Sequence, residues 1–377
     1  MKSAEQLNCP TGQFSLVRPG APEKMPLRAW DAADEYLIEW VCEHFCDQPL
    51  NIINDSYGAL GTALQKQWQQ QAGLWLTDSY CAQHALALNL DQAQPQHCDT
   101  LLGSWQSQAT LWLFKIPKNT SLLQYQLNRI TELAINTGRS QTLLLAGMMK
   151  HLPKTLLTML SEYGTAERAP FKKKAMLVSL TIDPQTAQNK AQKYPKQQRF
   201  FGTQLLAHAN VFGRDKLDQG TELLLQHMPQ LDAPHTMADL CCGTGILGLH
   251  HGQHHPEAEV HFFDESHMAV SSAEAAVTLN GIHNQTAYFW DDGMQQATSQ
   301  GYDLILCNPP FHEQHAVGDH IAWRLFNDAQ RCLKPGGQFI IVGNRHLGYH
   351  TKLKRIFKNA ETIAANAKFV VLKCVKA

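Results

Sequence analysis

Short, mostly apolar runs bounded by polar or turn residues recur along this chain, with stretches of helical apolar spacing between them. Such runs are typical of strands that are buried on both faces of a parallel sheet. In the second half of the chain they lie at 237–240, 260–263, 287–290, 304–307 and 339–342. Because strands that alternate with helices form βαβ units, this pattern predicts a doubly wound α/β domain.

The first half of the chain repeats this pattern, with apolar runs in the same order at 50–53, 74–76, 111–114 and 143–145. A repeat this long predicts two tandem doubly wound, Rossmann-like domains, at 1–186 and 199–377, joined by a polar linker at 187–198. The alternative is that unrelated α/β domains look alike at this level. The first 25 residues are polar and are expected to form an arm with little structure of its own.

The sequence Asn308-Pro309-Pro310-Phe311 ends one of these strands abruptly. In open α/β sheets, ligands bind at the carboxyl ends of the strands. An exocyclic amine is a poor nucleophile because its lone pair is delocalised into the ring, and hydrogen bonds from both of its N–H groups would free that pair. The Asn308 side-chain oxygen and the Pro309 carbonyl are suited to accept them, since prolines give a rigid loop without N–H groups.

Phe311 adds a flat face on which a base can stack. This stretch therefore predicts methylation of a planar amine, with Asn308, Pro309, Pro310 and Phe311 as the catalytic residues. A plain proline turn after a strand is the alternative.

A glycine turn precedes this stretch and predicts a cofactor site. Gly243, Gly245 and Gly248 follow a strand, and Asp264 ends the next one, 21 positions after Gly243. That is the usual distance for a carboxylate that binds ribose hydroxyls. Both NAD and S-adenosylmethionine contain such a ribose. Asp239, before the glycines, favours S-adenosylmethionine because a carboxylate suits its cationic methionine end.

A further acidic pair, Asp291-Asp292, follows the third strand. One of these residues, assigned here to Asp292, is expected to accept a hydrogen bond from the adenine amino group. An Asp in this position is equally typical of a turn.

In this chain, Asp239 and the glycine turn are followed by Asp264, Asp292, 308–311 and then Lys334-Pro335-Gly336-Gly337. This order of motifs resembles that of class I S-adenosylmethionine-dependent methyltransferases. Within that class the chain is similar to the bacterial ribosomal RNA guanine-N2 methyltransferases, and most of all to the large-subunit (23S) enzymes. The stretches that carry this likeness are 209–212, 308–314, 322–323 and 368–373.

This resemblance implies a catalytic methyltransferase domain at 199–377 and a degenerate, RNA-binding methyltransferase-like domain at 1–186. It implies that Phe212 and Asp218 help to close the cofactor pocket, although Phe212 is as typical of a core residue. Many family members have Gly where this chain has Cys241, so Cys241 is expected to contact the cofactor through its backbone only.

The first domain has Lys115 where the second has Asn308, and Lys118 where the second has Phe311. It therefore lacks the amine acceptor and the stacking ring. We expect it to bind no cofactor and to serve in holding RNA.

The expected reaction is transfer of a methyl group from S-adenosylmethionine to N2 of a guanine in 23S ribosomal RNA, by direct displacement and without a strong general base. The guanine must leave its stack to reach the pocket. Alternatives are a 16S guanine-N2 enzyme, methylation of adenine N6 or of a protein glutamine, a nicotinamide enzyme, and a non-catalytic RNA-binding protein.

Charge is strongly segregated along the chain, although the net charge is only −1. Residues 217–333 carry 2 basic and 15 acidic side chains, whereas 150–216 carry 12 and 4 and 334–377 carry 9 and 1. Basic regions of this kind supply affinity for the nucleic-acid backbone. The charge pattern therefore favours an RNA partner, and the resemblance implies that this partner is 23S ribosomal RNA, either protein-free or assembled.

The sequence contains no run of 18 apolar residues and no signal-peptide pattern, so a cytoplasmic, monomeric protein without membrane contact is expected. Ten cysteines lie scattered without metal-ligand spacing. The sequence His250-His251-x-x-His254-His255 resembles a metal cluster, but it is expected to face solvent and to hold no functional metal.

Overall fold

The computed structural model describes residues 5–21, 27–228, 235–310 and 315–377, without the side chains of Glu5 and of residues 315–319. The chain divides into two compact units, Met1–Lys193 and Tyr194–Ala377. This boundary lies inside the stretch 187–198 that the sequence suggested as a linker. The second unit begins its first strand at Lys196, three residues before the start that we expected.

The first unit contains a hairpin and a seven-stranded sheet. Its strands are β1 (Glu5–Cys9), β2 (Gly12–Leu16), β3 (Leu50–Ile53), β4 (Trp75–Thr77), β5 (Cys98–Thr100), β6 (Leu111–Lys115), β7 (Gln141–Met148), β8 (Thr165–Arg168) and β9 (Ala175–Ile182). Its helices are α1 (Ala32–His44), α2 (Ala59–Ala63), α3 (Gln65–Trp68), α4 (Tyr80–Leu90), α5 (Thr120–Thr137) and α6 (Leu156–Ser161), with a 3-10 turn at Met149–His151. The order across the sheet is β5-β4-β3-β6-β7-β9-β8.

The second unit repeats this plan. Its strands are β10 (Lys196–Phe200), β11 (Thr203–Ala207), β12 (Thr236–Leu240), β13 (Glu259–Asp264), β14 (Thr286–Trp290), β15 (Tyr302–Cys307), β16 (Leu333–Asn344), β17 (Glu361–Ala365) and β18 (Phe369–Val375). Its helices are α7 (Gln219–Gln226), α8 (Ile246–His254), α9 (His267–Leu279), α10 (His315–Cys332) and α11 (Tyr349–Phe357), with a 3-10 turn at Arg345–Leu347.

Strands β10 and β11 pair as a hairpin, and the larger sheet has the order β14-β13-β12-β15-β16-β18-β17. Each strand of this sheet occupies the place of its counterpart in the first unit. The prediction of two tandem Rossmann-like domains is therefore confirmed.

Register brings the two predicted motifs of the second unit together. Strand β12 pairs in parallel with β15, and Leu240 lies opposite Cys307. The glycine turn that follows Leu240 and the sequence Asn308-Pro309-Pro310 therefore leave the sheet side by side, at its carboxyl edge.

The expectation of an unstructured arm is wrong for the residues that the structure describes. Strands β1 and β2 form an antiparallel hairpin. Leu7 and Leu16 are only 1% and 2% exposed and belong to the core cluster of the first unit. Burial of two leucines, worth roughly 1.5–3 kcal/mol each, explains why this polar segment is ordered.

Candidate active site

A glycine turn between β12 and α8 forms one wall of the candidate site. Gly243 and Gly245 have φ angles of +54° and +78°, which residues with side chains rarely adopt. Space is also limited, because a Cβ added to Gly245 would lie 2.8 Å from the Cβ of Ala273. Cys241 has a positive φ of 61° as well, so it occupies a backbone position that favours glycine. The turn thus exposes its backbone to any ligand at this edge.

Asp239 lies beneath this turn and is completely buried. Its Oδ2 accepts a hydrogen bond from the backbone N–H of Gly248 at 2.9 Å. None of the described residues donates to its Oδ1. Burial raises the pKa of Asp239 to about 8. A buried carboxylate oxygen without a donor fits a cationic group, and the methionine end of S-adenosylmethionine carries such a group.

Asp264, at the end of β13, holds the glycine turn in place. Its Oδ2 accepts from the N–H of Gly243 at 2.9 Å, and its Oδ1 accepts from the N–H of Ser266 at 2.9 Å. Burial raises the pKa of Asp264. Each carboxylate oxygen has a second lone pair, so Asp264 can order this turn and still accept from ribose hydroxyls.

Asp292 already has a hydrogen-bonding partner within the protein, which the sequence did not predict. Both of its carboxylate oxygens accept hydrogen bonds from the guanidinium of Arg324 on α10. Its neighbour Asp291 is completely buried, and Asp291 Oδ2 accepts from the N–H of Gln296 at 2.8 Å. An adenine amino group would have to share Asp292 with Arg324, so the role of Asp292 stays a prediction.

Asp218 caps helix α7 and supports Asn308. Its Oδ2 accepts from the N–H groups of Gly220 at 2.8 Å and Thr221 at 3.0 Å. The same oxygen accepts from the side-chain nitrogen of Asn308 at 3.2 Å. Phe212, which is 49% exposed, lies on the loop before this helix. Asp218 therefore acts on the site through Asn308 as well as by lining the cleft.

Asn308 has a fixed orientation. Its Nδ2 donates to Thr221 Oγ1 at 2.7 Å and to Asp218 Oδ2 at 3.2 Å. A carboxylate can only accept, so the nitrogen of the carboxamide must face Asp218. Among the residues that the structure describes, none donates to Asn308 Oδ1, which is buried. The side chain therefore presents an acceptor oxygen that has no partner within the described protein.

Pro309 is buried and Pro310 is exposed, directly after Asn308. Phe311 lies outside the described residues. The stacking role predicted for Phe311 therefore rests on the sequence alone.

A cleft connects the glycine turn with Asn308. The residues that line the cleft are Phe200, Leu205, Phe212, Gly213, Leu217, Asp218, Thr221, Cys241, Cys242, Gly243, Thr244, Ile246, Leu247 and Asn308. Five predicted site residues, Phe212, Asp218, Cys241, Gly243 and Asn308, thus share it.

One residue that anchors Asn308, and one polar residue on the same face of the sheet, were given no role from the sequence. Thr221, which anchors Asn308, is three positions after the N-cap of α7, and only the tertiary structure brings it to Asn308. Asn344 ends β16, is 8% exposed, and its Oδ1 has no donor in the described part of the chain. It lies on the same face as Asn308, because Val342 and Leu306, two residues before each, share one core cluster. A polar residue at a strand end was the available signal for Asn344.

The first unit keeps the shape of this glycine turn. Asp55 Oδ2 accepts from the N–H of Gly61 at 2.8 Å, as Asp239 accepts from Gly248. Gly58 caps α2 with a φ of +77°, as Gly245 caps α8. The turn has the same length in both units, 54–58 and 241–245, but Asp55 lies in the turn itself whereas Asp239 lies in the preceding strand.

Lys115 occupies the place of Asn308 in the first unit. Its ammonium lies 2.8 Å from Asp31 Oδ1 and 2.9 Å from Asp34 Oδ1. Asp31 is the N-cap of α1 and Asp34 follows three residues later, the same positions that Asp218 and Thr221 have in α7. At this place the second unit has a carboxamide oxygen without a donor among the described residues, whereas the first has an ammonium that is paired with two carboxylates.

Burial raises the pKa of Asp34 to about 7, although the ammonium of Lys115 opposes this. Burial also disfavours the charge of Lys115, but Asp34 and Asp31 outweigh it and raise the pKa of Lys115. The ammonium is therefore charged and is neutralised within the domain.

The histidine cluster lies on α8, yet it is not wholly exposed as we expected. His251 is only 4% exposed, and burial lowers its pKa to about 3. Among the described residues, no three His, Cys, Asp or Glu side chains are grouped so that they could hold a metal ion. Within the same ranges, no helix is long and apolar enough to cross a membrane.

Two protein families match the chain. Residues 202–373 match the Methyltransferase small domain family, and residues 4–185 match the RLMG N-terminal domain family. The "Ribosomal RNA large subunit methyltransferase G" of Pseudomonas syringae pv. syringae (strain B728a) is 38% identical over 381 residues, which cover 97% of this chain and 98% of that protein. The protein of the same name from Aeromonas hydrophila is 39% identical over 368 residues, covering 93% and 94%.

Among solved structures, the T. thermophilus 16S rRNA N2 G1207 methyltransferase in complex with AdoMet and guanosine aligns with a TM-score of 0.74. The alignment covers 99% of this chain and 98% of that chain at 20% identity. At this identity the likeness shows a shared two-domain fold.

Proposed function

Because this chain belongs to the ribosomal RNA large subunit methyltransferase G family, we propose that it transfers a methyl group from S-adenosylmethionine to N2 of a guanine in 23S ribosomal RNA. The fold is that of an S-adenosylmethionine-dependent methyltransferase. The choice of guanine N2 rests on the chemistry of Asn308. The choice of large-subunit RNA rests on the relatives.

The observation that carries the proposal is the orientation of the Asn308 carboxamide. Its nitrogen is bound by Thr221 and Asp218, so its oxygen remains to accept a hydrogen bond from a substrate N–H. The carbonyl of Pro309, in the next peptide, is the second acceptor that we propose. Two acceptors around an exocyclic amine favour the form in which the nitrogen lone pair is free to react, and their hydrogen bonds strengthen as the nitrogen gains positive charge.

We assign the cofactor to the cleft beside Asn308. S-adenosylmethionine, when bound, supplies a methyl group that is activated by its sulfonium. Asp239 would hold the cationic methionine end and Asp264 the ribose hydroxyls. The backbone of Cys241, Gly243 and Gly245 would lie against the cofactor, and Asp218 and Phe212 would close the cleft. Asp292 would accept from the adenine amino group while keeping Arg324.

The test compares the natural protein with Asn308→Ala. Loss of one acceptor that acts mainly in the transition state should lower the rate of methyl transfer about 100- to 1000-fold. The dissociation constant of S-adenosylmethionine should change little. Rates are measured in single turnovers with labelled cofactor and protein-free 23S RNA, and calorimetry gives the cofactor affinity.

The modified nucleoside identifies the acceptor atom. Digestion of the RNA and mass spectrometry should give N2-methylguanosine. A different methylated nucleoside would remove the guanine-N2 assignment, and an Asn308→Ala variant with an unchanged rate would remove the role of the carboxamide.

A further inference from the structure

The carboxamide of Asn344 is a polar group that the proposed reaction does not yet use. Asn344 is the last residue of β16 and is only 8% exposed. Its Oδ1 is buried, and none of the described residues donates a hydrogen bond to it. Buried polar atoms in folded proteins nearly always have a hydrogen-bond partner. A buried acceptor without one, beside a ligand site, is therefore a candidate for contact with the ligand.

The register of the sheet places Asn344 close to Asn308. Strands β15 and β16 are parallel neighbours, and Cys307 lies opposite Ile341. Asn308 is therefore level with Val342, two residues before Asn344. Two residues of a strand extend about 6.6 Å and neighbouring strands are about 4.8 Å apart, so this geometry separates the Cα atoms of the two asparagines by roughly 8 Å.

Both asparagines lie on the face of the sheet that α7 covers. Leu306 and Val342 belong to one core cluster, which also contains Leu223 and Leu224 of α7. Side chains two residues apart on a strand point to the same face, so Asn344 follows Val342 onto the α7 face. The bond between Asn308 and the N-cap of α7 places Asn308 there as well.

The first turn of α7 extends across the strand end that carries Asn344. On β15, Asn308 donates to the N-cap side chain of the helix. On β18, the ring of Phe369 lies 3.2 Å from the position of a Cβ added to Gly220, the second residue of the helix. Asn344 is the direct partner of Phe369, and β16 lies between β15 and β18. Asn344 is thus held between two residues that contact the same helical turn.

Guanine offers two further polar groups on the edge that carries its N2 amine. N1–H, beside the amine, is a donor, and O6 is an acceptor. A carboxamide matches this pair, because its oxygen can accept from N1–H while its nitrogen donates to O6. Adenine has no amine at position 2 and has an acceptor at N1, so it does not present this edge.

We propose that Asn344 determines specificity for guanine, with Oδ1 accepting from N1–H and Nδ2 donating to O6 while Asn308 and Pro309 hold the N2 amine. This inference rests on the proposed function, because it takes the reacting group to be N2 of a guanine. It deepens that proposal, since the base is then recognised by its whole edge and not by its amine alone.

The test replaces the target guanine by 2-aminopurine, which keeps the N2 amine but has no hydrogen on N1 and no O6. Protein-free 23S RNA is prepared with either base at the methylated position by ligation of a synthetic segment. The kcat/KM for methyl transfer is measured with both RNAs, and the ratio of the two values is compared between variants. The intrinsic reactivities of the two bases cancel in this comparison.

Asn344→Ala should lower kcat/KM for the guanine RNA about 10- to 100-fold, as expected for two lost hydrogen bonds. The value for the 2-aminopurine RNA should change less than about threefold, because that base cannot make this pair of bonds. The preference for guanine should therefore fall in the variant. Asn344→Leu keeps the size of the side chain and should give the same result.

Gln338→Ala is the matched control. Gln338 lies on the same strand and the same face, six residues earlier, and its Oε1 is also buried without a donor among the described residues. It is at the amino end of β16, away from the carboxyl edge, so both values of kcat/KM should remain unchanged. The affinity for S-adenosylhomocysteine should match that of the natural protein in all three variants.

Failure of this inference can be told from failure of the proposed function. If Asn344→Ala and Asn344→Leu lower kcat/KM equally with both RNAs, Asn344 only supports the fold of the site and the inference is overturned. An unchanged preference for guanine in these variants also overturns it. In both cases a natural protein that forms N2-methylguanosine in 23S RNA still has the proposed function. A natural protein that forms none contradicts the proposed function, and the inference with it.

Discussion

The carboxamide of Asn308 can offer its oxygen to a substrate because its nitrogen already has two acceptors. Thr221 and Asp218 supply them from the first turn of α7. The sequence predicted the chemistry of Asn308, since an Asn before two prolines at a strand end is a local pattern. It did not identify Thr221, which is 87 residues away in sequence. Contacts of this kind depend on how a helix packs on a sheet.

Thr221 is expected to act as a positioning residue. Thr221→Val keeps the shape of the side chain and removes the hydroxyl, so the carboxamide loses its shorter anchor and the rate of methyl transfer should fall about tenfold. A loss of roughly 1.4 kcal/mol, typical of one hydrogen bond, corresponds to that factor. Thr221→Ser retains a hydroxyl and should restore most of the rate. Equal rates for the Val and Ser variants in single-turnover assays would contradict this role.

Asp239 should make cofactor binding depend on pH. Burial raises its pKa to about 8, so at pH 7 the free protein holds this carboxyl largely protonated. A cationic cofactor favours the ionised form, and binding near pH 7 should therefore release close to one proton. Affinity should rise with pH from about 5.5 to 7.5, by up to tenfold per pH unit.

Calorimetry in two buffers of different ionisation enthalpy measures the released proton. Asp239→Asn cannot ionise and should release none.

The effect of Asp239 on the free energy of unfolding has the opposite pH dependence to that of a salt-bridged acid. Its folded pKa lies above the unfolded value near 3.8, so Asp239 lowers stability progressively as pH rises from about 4 to about 8. Proton uptake on cofactor binding would contradict this account.

At the scale of elements, sequence patterns predicted the sheets well because buried parallel strands are continuous apolar runs. The run 304–307 became β15, Tyr302–Cys307, and the run 111–114 became β6, Leu111–Lys115. The hairpin β1–β2 was missed. Its fully buried leucines, Leu7 and Leu16, pack in a core that includes helices later in the chain, and the polar residues around them hide this pattern in the sequence.

The glycine turn of the first unit should be needed for packing and not for a ligand. A Cβ on Gly58 would lie 2.7 Å from the Cα of Leu86, at a φ of +77°. Gly58→Ala should therefore cost about 2–5 kcal/mol, from backbone strain together with overpacking. Gly138 in the same unit has a φ of +64° and nothing within 4 Å, so Gly138→Ala should cost only about 1–2 kcal/mol.

Urea unfolding of the full chain, followed through the transition of the first unit, measures both variants. Cofactor affinity should remain unchanged in each of them. Equal costs at Gly58 and Gly138 would show that the close contact with Leu86 is relieved by a small shift.

At the scale of the whole molecule, two sheets of the same strand order carry different groups at their carboxyl edges. The second unit has the acceptor oxygen of Asn308, and the first has the ammonium of Lys115 paired with two carboxylates. The sequence indicated this contrast through its charge segregation and through Lys115 in place of Asn308. It could not show that Lys115 is buried, nor that Asp31 and Asp34 neutralise it, because those residues precede it by more than 80 positions. The two units thus share one strand order and differ in the side chains at their carboxyl edges.

If Lys115 closes the first site, the full chain should bind one S-adenosylhomocysteine, and a second binding event in calorimetry would contradict the closed site.

The ion pair of Lys115 with Asp31 and Asp34 should also be important for folding. Lys115→Ala would leave Asp34, with a side chain only 7% exposed, without its cation, and should destabilise the first unit by about 3–5 kcal/mol. Lys173→Ala breaks the exposed pair with Glu35, where the lysine side chain is 58% exposed, and should cost less than about 1 kcal/mol. Similar unfolding midpoints for these two variants would contradict the importance of this ion pair for folding.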